Sequence, residues 1–182
     1  LDWNVANHSE LIAYYQNFIQ EHPTIKRAYL YLLDNLIDDG RLNEAKTVLE
    51  RRSTVIEDCF NDFYRLLIHE STHGFQATCK EYEIYLKENQ EWQAYFLVAE
   101  RYASHGEYEE AISLFEKSFE LQPKPRYIDQ LESIAQLYLR MHQKNEAKYA
   151  YKRELQLLKE EWHQDDSADV QRVKALLAKC NR

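Results

Sequence analysis

The stretch from His69 to His73 has residue types and a spacing that could do chemistry, because it reads His-Glu-x-x-His. On a helix, two histidines four residues apart lie on one face and can bind zinc, while Glu70 can act as a general base. An apolar stretch at 66–68 precedes the motif. The pattern therefore gives one alternative for the chain, a zinc metallohydrolase that uses His69, Glu70 and His73.

Three features of the surrounding sequence weigh against a zinc enzyme. The motif ends next to Gly74, where its helix should be finishing. Zinc needs a third protein ligand, and no downstream residue stands out as one. The flanking chain has a helical repeat pattern that leaves no room for a protease sheet and cleft. We therefore expect no catalytic residue, no metal site and no cofactor, with the polar residues of the motif exposed and adventitious zinc binding by His69 and His73 at most.

The composition indicates a folded helical protein. The chain has 182 residues and a net charge of −8, and 45% of its residues are hydrophobic, which is enough to bury a core. Three glycines are too few for a turn-rich β-sandwich or a glycine-cradled nucleotide site. No apolar run reaches the ~18 residues of a membrane span, and dispersed basic residues in an acidic chain disfavour nucleic acid. We expect neither a membrane nor a direct nucleic-acid partner.

The cysteines and the N-terminus bear on the compartment. Cys59, Cys79 and Cys180 are odd in number and lie at no metal-ligand spacing, which predicts reduced thiols in a cytoplasmic protein. Residues 1–12 are acidic and lack a long apolar core, so we expect no signal peptide. The chain does not begin with Met, which is consistent with a piece of a longer protein.

The glycines mark an internal repeat. Gly40, Gly74 and Gly106 lie 34 and 32 residues apart, and a further step of 36 residues reaches His142. A small side chain follows each of these positions by five residues: Ala45, Cys79, Ala111 and Ala147. In the eleven residues before each of these positions, apolar residues recur at intervals of three and four residues. Each unit is therefore predicted to be a helix, a short turn and a second helix.

This pattern resembles the tetratricopeptide repeat, a helix-turn-helix unit of about 34 residues. The clearest copy runs from Trp92 to Pro123, where these residues fall at the signature positions of the family: Tyr95, Val98, Ala99, Tyr102, Gly106, Tyr108, Ala111, Phe115, Leu121 and Pro123. The copies at 26–59 and 128–158 are weaker. The copy at 60–91 is degenerate, because Glu70 and Glu83 stand where an apolar residue is usual.

The resemblance implies an all-α fold, a right-handed α-solenoid of tetratricopeptide-like helix-turn-helix repeats with a C-terminal capping helix. We expect residues 1–182 to form a single helical-repeat domain. Its parts are a partial repeat helix at 9–22, a repeat at 26–59, a degenerate repeat at 60–91, repeats at 92–125 and 128–162, and a capping helix at 167–180. Ser167 is the expected N-cap of that last helix.

The resemblance also implies a concave face lined by the first helix of each unit. Ten residues form the predicted partner-binding set on that face: Arg27, Leu30, Asp34, Asn61, Tyr64, Ile68, Gln93, Phe96, Glu100 and Glu132. Apolar side chains in the middle and acids at both ends favour a protein or peptide ligand that is apolar or basic. For Tyr64, Ile68 and Phe96, packing in the core is an open alternative.

Some family members grip the C-terminal carboxylate of heat-shock chaperones with Lys, Asn and Arg. The corresponding positions here hold Leu30, Asp34, Arg65, Gln93 and Leu97, so a chaperone-tail adaptor is not expected. We predict a non-catalytic, cytoplasmic scaffold that binds a peptide or partner segment in a concave helical groove. A peptide-sensing regulatory domain of a larger bacterial transcription regulator is the first alternative, and the zinc metallohydrolase is the second.

Overall fold

The computed structural model describes residues 7–180, and over that range the secondary structure is helical and contains no strand. The predicted all-α fold is confirmed. Residues 1–6, on which the signal-peptide prediction partly rests, lie outside the described residues, as do 181 and 182. Within 7–180 no helix combines the length and the apolarity that crossing a bilayer requires.

The chain forms two compact units, of which the first extends to Glu88. Its five helices are α1 (His8–Glu21), α2 (Lys26–Asp38), α3 (Leu42–Ser53), α4 (Cys59–His73) and α5 (Phe75–Glu88). Each helix packs on the next one along the chain, and α4 also contacts α2. Large buried side chains fill the space between them: Tyr29, Leu32, Leu33, Leu36, Phe63 and Tyr82. Their three- and four-residue spacing places them on one face of each helix.

The second unit begins at Asn89 and is built in the same way. Its helices are α6 (Trp92–Ser104), α7 (Tyr108–Leu121), α8 (Asp129–Arg140), α9 (Lys144–Glu160) and α10 (Ala168–Lys179). Ala99, Ala111 and Ala135 have no exposed surface in its core, which lets the paired helices approach closely. Phe115 and Tyr151 fill the space between helix pairs.

The turns use the left-handed backbone region at the expected positions. Gly40 and Gly106 have φ of +72° and +85°, which glycine adopts without the strain that a Cβ would cause. His142 stands where the repeat has lost its glycine, and it adopts the same region with φ of +59°. Gly74, with φ of +88°, is the single residue between α4 and α5, so α4 ends at His73 as the sequence predicts.

Side-chain caps fix the start of three helices. Asn7 and Glu10 form a capping box at the start of α1, which begins one residue earlier than the predicted partial repeat helix. The Asp58 carboxylate accepts a 3.2 Å hydrogen bond from the Phe60 amide at the start of α4. The Ser167 hydroxyl accepts a 3.3 Å hydrogen bond from the Val170 amide, which confirms its predicted role as N-cap of α10.

Candidate functional site

The three chemical groups of the His69–His73 motif do not converge. The two imidazole rings stack with their centroids 4.2 Å apart at the end of α4. Glu70 is instead buried, only 6% exposed, and accepts a 2.6 Å hydrogen bond from the Tyr82 hydroxyl of α5. The expectation that the polar residues of the motif are exposed is therefore wrong for Glu70. A carboxylate held in the α4–α5 interface is not placed to act as a base beside the histidines.

Each histidine of the motif forms a hydrogen bond through its Nδ1 atom. His73 Nδ1 donates to the His69 carbonyl at 3.1 Å. Thr78 Oγ1 donates to the Gly74 carbonyl and accepts from His69 Nδ1, each at 3.1 Å. Both Nδ1 atoms are thus used in hydrogen bonds, and the two Nε2 atoms are the ring nitrogens that remain for a metal. Within residues 7–180 no group of three or more His, Cys, Asp or Glu side chains converges on a possible metal position, so the histidines gain no third ligand there.

The same end of α4 borders a cavity of about 340 Å³ between α3 and α4. Leu49 and Ile68, both buried, supply its apolar lining. Its polar lining carries more positive than negative groups: Lys46, Arg65, His69, His73, Thr72 and Glu50. Of the predicted partner-binding residues in the first unit, Ile68 is the one that lines this cavity.

Tyr64 ties α4 to α2. Its side chain is 5% exposed, and its hydroxyl donates a 2.5 Å hydrogen bond to Asp34 Oδ1. Burial and the neighbouring Asp34 charge raise the pKa of Tyr64 and keep the phenol protonated. Removal from water raises the pKa of Asp34, against the lowering effect of this hydrogen bond. Tyr64 is thus a core contact, while Arg27 is exposed and Leu30 is half-buried along α2.

Asn61 is placed differently from the prediction. It is 7% exposed, its Nδ2 donates to the Ile56 carbonyl at 2.7 Å, and its Oδ1 accepts from Arg52 Nη1. Both ends of the amide are used inside the first unit, so Asn61 has no polar atom to offer a partner. Sequence analysis missed Arg52, which has no exposed surface and forms two hydrogen bonds with the Asp58 carboxylate, at 2.9 and 2.8 Å. The sequence shows only two adjacent arginines flanked by acids, and nothing in it distinguishes buried Arg52 from exposed Arg51.

In the second unit, first-helix positions share a cavity of about 230 Å³ between α6 and α8, which we call the α6–α8 cavity. Its lining comes from both helices and from Phe115 of α7: Glu100, Ala103, Ser104, Phe115, Ser133, Gln136, Leu137 and Arg140. Glu100 of the predicted set lies here. Gln93 and Phe96 are half-buried on α6, and the Phe96 ring meets the Phe115 ring edge-on with centroids 5.5 Å apart. Glu132 accepts a 2.7 Å hydrogen bond from Arg172 Nη1 of α10.

The repeat that contributes Phe115 also matches a known protein family. Residues 92–125, which span α6 and α7, match the family model of the tetratricopeptide repeat. The chain therefore contains a tetratricopeptide repeat at residues 92–125. No curated protein sequence matches it. The tetratricopeptide-repeat fold supports a protein–protein interaction module, which is the role that the sequence predicts in general terms.

Solved structures agree with this assignment. A tetratricopeptide-repeat protein from Parabacteroides merdae is 15% identical and has a TM-score of 0.60, over 96% of this chain and 65% of that one. The protein TTC0263 from Thermus thermophilus is 15% identical with a TM-score of 0.56, over 95% and 90% of the two chains. The MamA protein is 20% identical with a TM-score of 0.53, over 88% and 87%. At these identities the similarity shows the fold alone.

Proposed function

We propose that this protein is non-catalytic and binds a short segment of a partner protein in the α6–α8 cavity. One observation carries the proposal: Glu100 on α6, a predicted partner-binding residue, and Gln136 on α8 border one preformed cavity. A preformed site reduces the ordering cost of binding, because the helices that carry it are already packed. The cavity therefore favours a partner segment that is itself short and extended.

The chemistry of the lining indicates what such a segment would offer. Ser104, Ser133 and Gln136 supply hydrogen-bond donors and acceptors that suit the peptide groups of an extended chain. Phe115 and Leu137 supply an apolar surface for one side chain. Glu100 and Arg140 each add one charge, so the lining has no strong excess of either sign. We expect an apolar anchor residue, with a basic neighbour placed near Glu100.

A non-catalytic role is supported by the structure of the His69–His73 motif, which is the basis of the zinc-enzyme alternative. Glu70, its candidate base, is held by Tyr82 in the α4–α5 interface. His69 and His73 have no third ligand among the described residues. A zinc hydrolase needs both the base and the third ligand beside the metal-bound water. Binding a partner segment in the α6–α8 cavity needs neither.

The cytoplasm is the compartment that we propose for this module. Cys59, Cys79 and Cys180 form no disulfide with one another. Reduced cysteines persist in the cytosol, whereas secreted proteins of this size tend to oxidise them into disulfides.

A displayed library of random peptides tests the proposed function. Peptides selected on the purified protein would be measured against Ser104→Arg, which places a long charged side chain at the mouth of the α6–α8 cavity. The matched control is Ser113→Arg, at an exposed serine of α7 that does not line the cavity. We expect Ser104→Arg to weaken the selected peptides at least about tenfold, because filling a pocket removes its anchor contacts.

The control variant should bind the selected peptides as the parent protein does, and both variants should melt at the parent temperature. Failure to select any peptide would contradict the proposal. So would peptides that bind Ser104→Arg and Ser113→Arg equally well, because their site would then lie outside the α6–α8 cavity.

A further inference from the structure

A second feature of the second unit is a pair of aromatic rings that face water. Tyr127, before α8, is 51% exposed, and Trp162, after α9, is 37% exposed. Their ring centroids lie 6.3 Å apart with the planes inclined at 43°. Trp92 contacts the other side of this pair, with its ring 5.8 Å from that of Tyr127. Aromatic surface of this size is normally buried, so its exposure calls for an explanation.

Hydrogen bonds fix the ring of Trp162 and the backbone of Tyr127. Trp162 Nε1 donates to the Arg126 carbonyl at 2.7 Å, and the Tyr127 amide donates to the Gln122 side chain at 2.6 Å. Arg126 is fixed in turn, because its guanidinium donates to the Glu161 carboxylate at 2.6 Å and lies 4.2 Å above the Phe119 ring. The Trp162 ring and the Tyr127 backbone are therefore fixed before binding, which reduces the entropy that a ligand in the adjacent pocket would have to remove.

The rings border a pocket of about 150 Å³, which we call the aromatic pocket. Ile128 and Leu158 supply further apolar lining, and Asp129 and Asp169 supply two carboxylates. Both aspartates lie in the first turn of a helix, where a negative charge is stabilised. No Lys or Arg is among the lining residues. The pocket thus combines aromatic faces with negative charge.

The basic groups nearby are largely committed to other acids. Arg126 and Lys124 both pair with Glu161, at 2.6 and 3.8 Å. Asp169 lies 3.8 Å from Arg172 Nε, a long contact that leaves it partly uncompensated. Asp129 forms no ion pair with any residue between 7 and 180. The uncompensated charge at the aromatic pocket is therefore negative.

We propose that the aromatic pocket binds the ammonium group of a lysine side chain from the partner protein. An ammonium ion is attracted to aromatic faces and to carboxylates, while the aliphatic stem of lysine can pack on Ile128 and Leu158. Both rings line the pocket, so a compact ammonium ion can contact the two of them, whereas a planar guanidinium stacks on one. The identity of the occupant rests on the proposed function, but the pocket's preference for a cation does not.

Titration with n-butylammonium, which corresponds to the side chain of lysine, tests the preference of the pocket for a cation. The matched probe is butan-1-ol, which has similar shape and no charge. Binding would be followed in two-dimensional NMR spectra through the Trp162 indole and the Asp129 and Gln164 amides, at constant ionic strength. We expect saturable shifts at these signals with n-butylammonium, and binding stronger than that of butan-1-ol by about three- to tenfold. Equal shifts with both probes, or none up to about 100 mM, would overturn the proposal.

Variants locate the probe. Tyr127→Leu and Asp129→Asn should each weaken n-butylammonium at least about threefold, since one removes an aromatic face and the other a charge. Tyr127→Phe keeps the ring and should bind as the parent does. Asp165→Asn, at an exposed aspartate outside the lining, is the matched charge control. An equal loss in the Asp129 and Asp165 variants would show that only the net charge matters, and would contradict the proposal.

Short capped peptides test lysine as the occupant. Gly-Lys-Gly should shift the same signals more strongly than Gly-Gln-Gly, and tighter binding by Gly-Arg-Gly would overturn the assignment to lysine. The two proposals fail separately. If n-butylammonium binds but no displayed peptide is selected, the proposed function is contradicted and the cation preference of the aromatic pocket is supported. If peptides are selected but n-butylammonium does not bind, the aromatic pocket fails alone.

Discussion

Arg172 of α10 donates a 3.1 Å hydrogen bond to Oε1 of Glu154, a residue of α9 with no exposed surface. The other carboxylate oxygen, Oε2, is buried and has no hydrogen-bond partner among the described residues. Arg172 also pairs with Glu132 of α8, so it holds three helices of the second unit together. One cation shared between two carboxylates compensates a buried charge incompletely.

The Glu154 carboxyl should make stability depend on pH. Burial, and next the Glu132 charge, raise its pKa from 4.5 to about 7, against the lowering effect of Arg172. The folded state therefore holds this proton more tightly than the unfolded state does. Stability is greatest below pH 4.5 for this group, falls as pH rises to about 7, and levels off above that. The loss should be on the order of 3 kcal/mol.

Glu154→Gln removes this titration while keeping a side chain that can accept the Arg172 hydrogen bond. Chemical unfolding at pH 5 and pH 8 should show the variant gaining stability relative to the parent as pH rises. Glu160→Gln, at an exposed position of α9, is the control and should not change the slope. A parallel pH dependence in the parent and Glu154→Gln would show that Glu154 is ionised throughout.

Arg52 should be essential to the first unit. Its guanidinium is fully buried and joins Asp58, the N-cap of α4, to the amide of Asn61. Arg52→Ala removes two hydrogen bonds from the Asp58 carboxylate and one from the Asn61 amide, and it should lower the free energy of unfolding by about 3–5 kcal/mol. The neighbouring Arg51→Ala, at an exposed position, should change it by no more than about 0.5 kcal/mol. Equal effects in denaturant unfolding would refute a structural role for Arg52.

Glu70 and Tyr82 should act as a structural pair. A double-mutant cycle with Glu70→Gln and Tyr82→Phe measures their coupling through chemical unfolding. Each single change should cost about 1–3 kcal/mol, because it weakens or removes a buried hydrogen bond to a charged group. The double variant should cost less than the sum by at least about 0.5 kcal/mol. Strict additivity would mean that the 2.6 Å contact contributes no interaction energy.

Phe96 decides between the two interpretations that the sequence leaves open. Its ring packs on Phe115, so Phe96→Ala should lower the free energy of unfolding by about 2–4 kcal/mol. Phe96→Leu keeps most of the apolar volume and should cost under about 1.5 kcal/mol. Unfolding in urea provides the measurement. If Phe96→Ala is as stable as the parent and only the selected peptides bind less well, Phe96 belongs to the partner site.

Sequence periodicity determines most of the fold. Helical spacing of apolar residues and the glycines at 40, 74 and 106 are local signals, and the helices begin and end close to where those signals place them. Even His142, which replaces a glycine, adopts positive φ because the geometry of the turn requires it. Resemblance of 92–123 to the tetratricopeptide repeat is borne out by the family match over 92–125. These features depend on residues near one another in the chain.

Which polar residues are buried was decided by tertiary structure. Asn61 and Glu70 look like exposed polar positions of helices, yet Arg52 and Tyr82 satisfy them inside the first unit. The aromatic pocket combines Tyr127 and Trp162, which lie more than thirty positions apart in the sequence. No sequence motif predicts that these two residues meet. Burial and hydrogen bonding depend on which side chains meet across helices. A periodic pattern states which face of a helix packs, but not which partner it packs against.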